Sequence, residues 1–179
     1  MTSYYTENEL ASLGLKAYGK KVLISRKCSI YGANQISIGD NVRIDDFCIL
    51  SGNITLGSNI HISAFVALYG ANGIIFEDYT GISPRSTIYS AMDDFSGDYL
   101  IGPIHPVENT NVTGGQVIVK KYAHIGANCI VFPNLIIEEG SVIGAMSLVN
   151  RSTKPWTINM GIPINKNKLR SHKLLKLIY

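Results

Sequence analysis

The stretch Ile38-Gly-Asp-Asn-Val-Arg-Ile44-Asp-Asp-Phe-Cys-Ile-Leu50-Ser-Gly-Asn-Ile-Thr-Leu56-Gly-Ser-Asn-Ile-His-Ile62 decides the fold. A bulky aliphatic residue stands at every sixth position. A helix repeats about every 3.6 residues and a strand every two, so neither has this period. Six residues fit a short strand followed by a corner, repeated along the chain. Ile24 and Ile30 precede the run and Leu68 follows it. After a two-residue slip the rhythm continues at Phe76, Ile82 and Ile88, and it resumes at Val119, Ile125, Val131, Ile137, Ile143 and Val149. Four residues after each anchor comes a second inward position, small or apolar, such as Val42, Cys48, Ile54, Ala123, Cys129 and Ser147. The residue just after the anchor is often glycine, as at Gly39, Gly57, Gly126 and Gly144, and is expected to permit the corner backbone.

Stacked hexads make a β-solenoid, in which each coil touches only its neighbours and the open ends need caps. The chain reads as one domain, with the solenoid over 20–160. A cap over 1–19 begins with a helix, where Thr6 and Glu9 form a capping box. A second cap over 161–179 reads as a basic helix, with Leu169, Leu174, Leu175 and Ile178 in a rough stripe. Residues 89–118 break the rhythm. A loop of that length ejected from a compact solenoid is expected to serve function.

The 179 residues are 46% hydrophobic and 16% charged, enough for a core and too little charge for disorder. The net charge is +3, but five of the 16 Lys and Arg residues crowd into the last fourteen positions, where there is no acid. The rest of the chain carries a slight acidic excess, which argues against a nucleic-acid-binding face. No apolar run is long enough to span a bilayer. The N-terminus lacks the charged and apolar segments of a signal peptide. Three cysteines without a CxxC pair suggest buried free thiols at Cys28, Cys48 and Cys129 in a reducing cytoplasm.

The hexads, of the form aliphatic-Gly-x-x-small-x, resemble the left-handed parallel β-helix of the hexapeptide-repeat acyltransferases over nearly the whole chain. The segment Ile143-Gly-Ala-Met to Gly161-Ile-Pro resembles that family's closing stretch. The run Tyr89-Ser-Ala-Met-Asp-Asp-Phe-Ser-Gly-Asp-Tyr-Leu is similar to the surface-polysaccharide sugar O-acetyltransferases, relatives of the galactoside and maltose acetyltransferases. The resemblance implies an all-β, left-handed β-helix assembled as a homotrimer with interfacial sites. It also implies acetyl-CoA as donor, no metal, a sugar or sugar-nucleotide acceptor, and a histidine that takes the proton of the acceptor hydroxyl.

Within that frame His61 is the expected base, oriented by Asp45 one coil below, with His124 as second candidate. Both histidines lie five residues after an anchor, in one column with Gly81 between them. In the ejected loop Tyr89, Asp93, Asp94 and His105 are candidates to hold the acceptor. The small pairs Gly126-Ala127 and Gly144-Ala145 are placed to expose peptide groups to pantetheine, and Lys154, Lys166 and Arg151 to meet CoA phosphates. Three alternatives accompany the O-acetyltransferase reading. An N-acetyltransferase of a nucleotide-linked amino sugar would use the loop carboxylates Asp93 or Asp94. A γ-carbonic-anhydrase-like zinc enzyme would need a His-x-x-x-x-His pair, which this sequence lacks. A non-catalytic solenoid would leave the polar loop without a task.

Overall fold

The computed structural model describes residues 3–178 and shows a left-handed parallel β-solenoid of about seven turns. Each turn has three short strands, so the coil is a triangular prism. The first face stacks Ala17–Tyr18, Ile36–Ile38, residues 54–56, residues 74–76, Val117–Val119 and Leu135–Ile137. The second stacks Leu23–Ile24, Val42–Ile44, Ile60–Ile62, Gly81–Ile82, His124–Ile125, Val142–Ile143 and Thr157–Gly161. The third begins at Ser29–Tyr31 and ends at Leu148–Val149. Two long strands, Ile49–Leu56 and Ala67–Phe76, run unbroken through the corner between the third and first faces, joining these into one sheet.

The hexad anchors fill the prism axis. Ile24, Ile44, Leu50, Ile62, Leu68, Ile82, Ile125, Val131 and Ile143 have no exposed surface. Each such aliphatic side chain removed from water contributes about 1.5–3 kcal/mol. Cys48 and Cys129 are buried in the second inward column, as expected. Cys28 is only half-buried, because it belongs to the first coil, where no earlier coil stacks beneath it.

The corners differ from the sequence expectation. Left-handed backbone falls three residues after the anchor, and non-glycine residues hold it: Asn41, Phe47, Asn59, Phe65, Tyr79, Arg85 and Tyr122 all have φ between 55° and 62°. Such a conformation costs an L-residue roughly 1 kcal/mol, which the buried anchors on either side offset. The glycine just after the anchor has another task. A Cβ on Gly39 would stand 2.6 Å from the Gly57 carbonyl oxygen of the next coil, and one on Gly126 would stand 2.6 Å from the Ala145 nitrogen. Glycine is there because adjacent coils approach too closely for a side chain.

The N-terminal cap follows the capping-box reading. The helix Glu7–Ser12 starts at Thr6, whose side chain accepts from the Glu9 N–H while the Glu9 carboxylate accepts from the Thr6 N–H. The C-terminal cap does not. In place of a basic helix over 161–179, Ile164–Leu169 folds back antiparallel on Thr157–Gly161, and only a short 3-10 turn, Lys173–Leu177, follows. The spacing of Leu169, Leu174 and Ile178 mimics a helix, but the free edge of the last coil offers backbone partners that a helix could not use. The hairpin takes them. The ejected loop is present. Chain 90–116 leaves after Thr87–Tyr89 as an antiparallel pair, Ala91–Asp93 with Val112–Gly114, and rejoins at Val117–Val119.

Candidate active site

The second face carries a column in the order Arg43, His61, Gly81, His124, Val142. Two residues along, the next outward column reads Asp45, Ser63, Ser83, Gly126, Gly144, as the backbone ladder from Asp45 N to Gly144 N shows. Both histidines reach diagonally to the coil below and two residues on. His61 Nε2 meets Asp45 Oδ2 at 2.7 Å. His124 Nε2 meets Ser83 Oγ at 2.9 Å. The same step thus produces two different pairs, imidazole with carboxylate and imidazole with hydroxyl. Gly81 makes room for the second, since a Cβ there would lie 3.0 Å from His124 Nδ1.

Asp45 is heavily engaged. Besides His61 it accepts from Arg43 Nε at 2.6 Å and from the Tyr4 hydroxyl at 3.3 Å. Burial pushes its carboxyl up, but the donors His61 and Arg43 outweigh that and hold it below the usual carboxylate range. His124 is shifted down, chiefly because packing strips water from the ring, with help from the charges of Arg170 and His61. It therefore stays neutral, with one ring nitrogen free to accept a proton, to a lower pH than an ordinary histidine. Ser83 was not singled out from the sequence. The signal lay in the register, two residues after Gly81 in the column shared by both histidines.

A cavity of about 350 Å³ opens beside His124, walled by Asn59, Tyr79, Tyr122, Arg170, Leu174 and Ile178. Two further cavities lie at the ends of the prism. One of about 740 Å³ sits under the N-terminal helix. The other, of about 260 Å³, gathers Arg151, Lys154 and Lys166 with Asn165 at the C-terminal end. The three cations suggested for phosphate contact are thus brought together, with Arg151 anchored on the Ile164 carbonyl. In the small-residue column the Gly126 and Gly144 N–H groups are spent on the ladder, whereas Ala127 N–H and Ala145 N–H donate to nothing among the described residues.

The loop residues lie elsewhere. Tyr89 ends a third-face strand, its ring stacked on Tyr69 at 5.3 Å. Asp93 and Asp94 follow at the start of the ejected pair, at the corner between the third and first faces. Asp94 is a latch: it accepts from Ser96 N–H and Asn111 Nδ2, both at 2.8 Å. Asp93 makes no such bond among the described residues. His105 lies near the exposed loop tip. One chain therefore does not bring the loop group and the histidine column together. Among the described residues no three His, Cys, Asp or Glu side chains converge as a metal set. No helix among the described residues is long and apolar enough to cross a membrane.

No protein-family model matches the chain. It is 42% identical to the dTDP-4-amino-4,6-dideoxy-D-glucose acyltransferase of Escherichia coli over 178 residues, 98% of this chain and 93% of that protein. It superposes with a TM-score of 0.97, at 50% identity, on a serine-to-cysteine variant of the N-acyltransferase AntD from Bacillus cereus, in complex with dTDP-4-amino-4,6-dideoxyglucose and coenzyme A, covering 99% of this chain and 96% of that one. AntD has also been seen with dTDP and 3-hydroxybutyryl-CoA, at 51% identity, with 99% of this chain and 95% of that one covered and the same TM-score of 0.97. These likenesses overturn the placement beside the galactoside and maltose O-acetyltransferases, and with it the reading of a sugar hydroxyl as acceptor. The loop run at 89–100 misled because carboxylates and aromatic rings suit any sugar, hydroxyl or amine. The chain belongs to the hexapeptide-repeat, acyl-CoA-dependent acyltransferases, in the branch of the dTDP-4-amino-4,6-dideoxyglucose acyltransferase and AntD.

Proposed function

We propose that this protein transfers a short acyl group from acyl-CoA to the amine of a dTDP-linked amino sugar. The observation that carries the reading is the near full-length likeness to AntD, seen with dTDP-4-amino-4,6-dideoxyglucose and coenzyme A, and with dTDP and 3-hydroxybutyryl-CoA. Acetyl-CoA is the simplest donor to try, and the AntD complex with 3-hydroxybutyryl-CoA makes a short hydroxyacyl chain the second. Three free thiols suit a cytoplasmic enzyme.

An amine attacks a thioester only when unprotonated. In this reading Asp93, with its carboxylate unspent, receives the sugar ammonium and takes its first proton. The nitrogen then bonds to the thioester carbonyl carbon. Its second proton passes by way of Ser83 Oγ to the neutral Nε2 of His124, the carbon–sulfur bond breaks, and the departing CoA sulfur takes that proton back. Structures of AntD variants at a serine and at an aspartate fit a site that uses both residue types in that protein. His61, whose Nε2 is tied to Asp45, is the second candidate base. Ala127 and Ala145 N–H groups receive the pantetheine carbonyls beside Gly126 and Gly144, and Lys154, Lys166 and Arg151 the phosphates. Tyr89, Asp94 and His105 shape the loop around the acceptor. Because the loop leaves from one corner of the prism and the histidine column lies on the second face, the site is completed by a neighbouring copy in a homotrimer.

The test is to incubate the protein with dTDP-4-amino-4,6-dideoxyglucose and acetyl-CoA and follow free thiol and product mass. An N-acetylated nucleotide sugar is expected. Acylation of sugar hydroxyls with no turnover of the amine would sink the reading.

A further inference from the structure

Two of the three cysteines stand one above the other and take no part in the transfer chemistry. The second inward column runs Cys28, Cys48, Val66, Ser86, Cys129 and Ser147 up the prism, one residue per coil. The ladder fixes this order, since Ser29, Ile49, Ala67, Thr87 and Ile130 each donate N–H to the carbonyl of the column member one coil above. Cys28 and Cys48 are therefore neighbours in adjacent coils, held at the strand spacing of about 4.8 Å. A disulfide spans Cα atoms about 4.4–6.8 Å apart, so this pair can close without moving either backbone. Cys129 has Ser86 below it and Ser147 above it, and no thiol within reach.

The two thiols differ as an attacking and a resolving sulfur differ. Cys28 is half-buried and is reached from the side where no coil lies beneath it, whereas Cys48 is buried. In the dithiol state each S–H points up the prism. Cys28 Sγ donates to the Asp45 carbonyl at 3.0 Å, and Cys48 Sγ donates to the Ser63 carbonyl at 3.1 Å. When Cys28 gives up its proton, the Cys48 S–H serves the new thiolate instead. That donor holds Cys28 below the ordinary thiol range, against its burial and the charge of Asp46. The neighbouring Cys28 sulfur and burial push Cys48 up. The thiolate is the nucleophile in thiol chemistry, and here exposure and easier ionisation fall on the same sulfur.

We infer that Cys28 and Cys48 form an oxidant-sensitive pair, in which Cys28 takes up a small external disulfide and Cys48 resolves it into a bridge between the first two coils. The inference stands apart from the acyl-transfer reading. In the first step the Cys28 thiolate attacks one sulfur of the external disulfide, whose S–S bond breaks, and one small thiolate leaves and takes a proton. In the second step Cys48 gives its proton to solvent and attacks Cys28 Sγ. The mixed S–S bond breaks, and the second small thiolate leaves and takes a proton. The cysteine pair loses two electrons and two protons, and the external disulfide gains both to become two thiols. The bridge replaces the S–H that Cys28 donates to the Asp45 carbonyl. It also fastens the coil to which the N-terminal segment is tied, through Tyr5 N–H to the Ile24 carbonyl and Arg26 N–H to the Ser3 carbonyl.

The test is to incubate the reduced full-length protein with oxidised glutathione under native conditions and read intact mass, linked peptides and remaining thiols. The wild type is expected to lose the mass of two hydrogens and to keep one of its three thiols, Cys129. Its digest should hold a linked pair of peptides carrying residues 28 and 48, released again by dithiothreitol. Cys48→Val, which repeats the residue that Val66 places one coil up, should stop with one glutathione on Cys28. Cys28→Ser, which repeats Ser86 of the same column, should keep both remaining thiols reduced. The wild-type result decides even where a variant fails to fold. Glutathione that stays on Cys28 without closing, or a bridge that includes Cys129, would overturn the inference. So would a bridge between chains on a non-reducing gel, or no reaction in the folded protein while the same thiols react in urea.

Discussion

His61 and His124 occupy equivalent positions and make the same diagonal step, yet their partners give them different chemistry. The His61 ring is tied to a carboxylate, whereas the His124 ring faces a hydroxyl through which a proton can pass. His124→Ala is therefore expected to lower kcat/KM for the amine acceptor by about 10²- to 10⁴-fold while leaving CoA affinity nearly unchanged. His61→Ala should cost less. Steady-state rates on both variants decide it, and the reverse order would return the base role to His61. The depressed pKa of His124 sets the direction of the pH dependence. Its folded value lies below its unfolded one, so the neutral ring is fully present above the unfolded pKa and is lost as pH falls through the folded value. The acid limb of kcat/KM should thus fall below the ordinary histidine range in the wild type and vanish in His124→Ala. The histidine column and the Asp45 pair were legible in the sequence, because a strict hexad count fixes which side chains share a column. Ser83 was not, since its importance comes only from standing diagonally below His124.

At the scale of elements, what could be read depended on how local the interactions are. The strands follow from anchors six residues apart, and the N-terminal helix from a capping box closed within four residues. The C-terminal hairpin pairs Thr157 with Leu169 and answers to an exposed sheet edge, which no local pattern announces. The corner backbone was attached to glycine for a similar reason. Propensity points to glycine, while the closed coil imposes the left-handed turn on Phe47, Tyr79 and Trp156 regardless. The anchors should dominate stability. Ile62→Ala is expected to cost about 2–5 kcal/mol in denaturant unfolding, since a rigid prism relaxes little around the hole. Asp94→Ala should instead leave the solenoid intact and loosen the ejected loop, seen as faster proteolysis between 95 and 110 with an unchanged main melting transition.

For the whole molecule, the proposed site shared between copies would make activity a property of the assembly, because the loop corner and the histidine face lie apart in one chain. Light scattering is expected to show three chains per particle. Mixing inactive His124→Ala with inactive Asp93→Ala protein, after co-refolding, should restore part of the activity through hybrid sites, whereas two defects confined to one chain's own site would complement just as poorly as either alone. The hairpin of 157–169 has one more consequence, for solubility rather than catalysis. Every coil ends in a row of unpaired peptide groups that the next coil would satisfy, so an uncapped prism is a growing tip for another copy of itself. Antiparallel pairing by Ile164–Leu169 turns that tip to the wrong polarity, and its lysines at 166 and 168 add charge where a second prism would stack. A chain ending at residue 162 should therefore polymerise end to end into filaments that bind amyloid dyes, while the full-length protein stays dispersed at the same concentration.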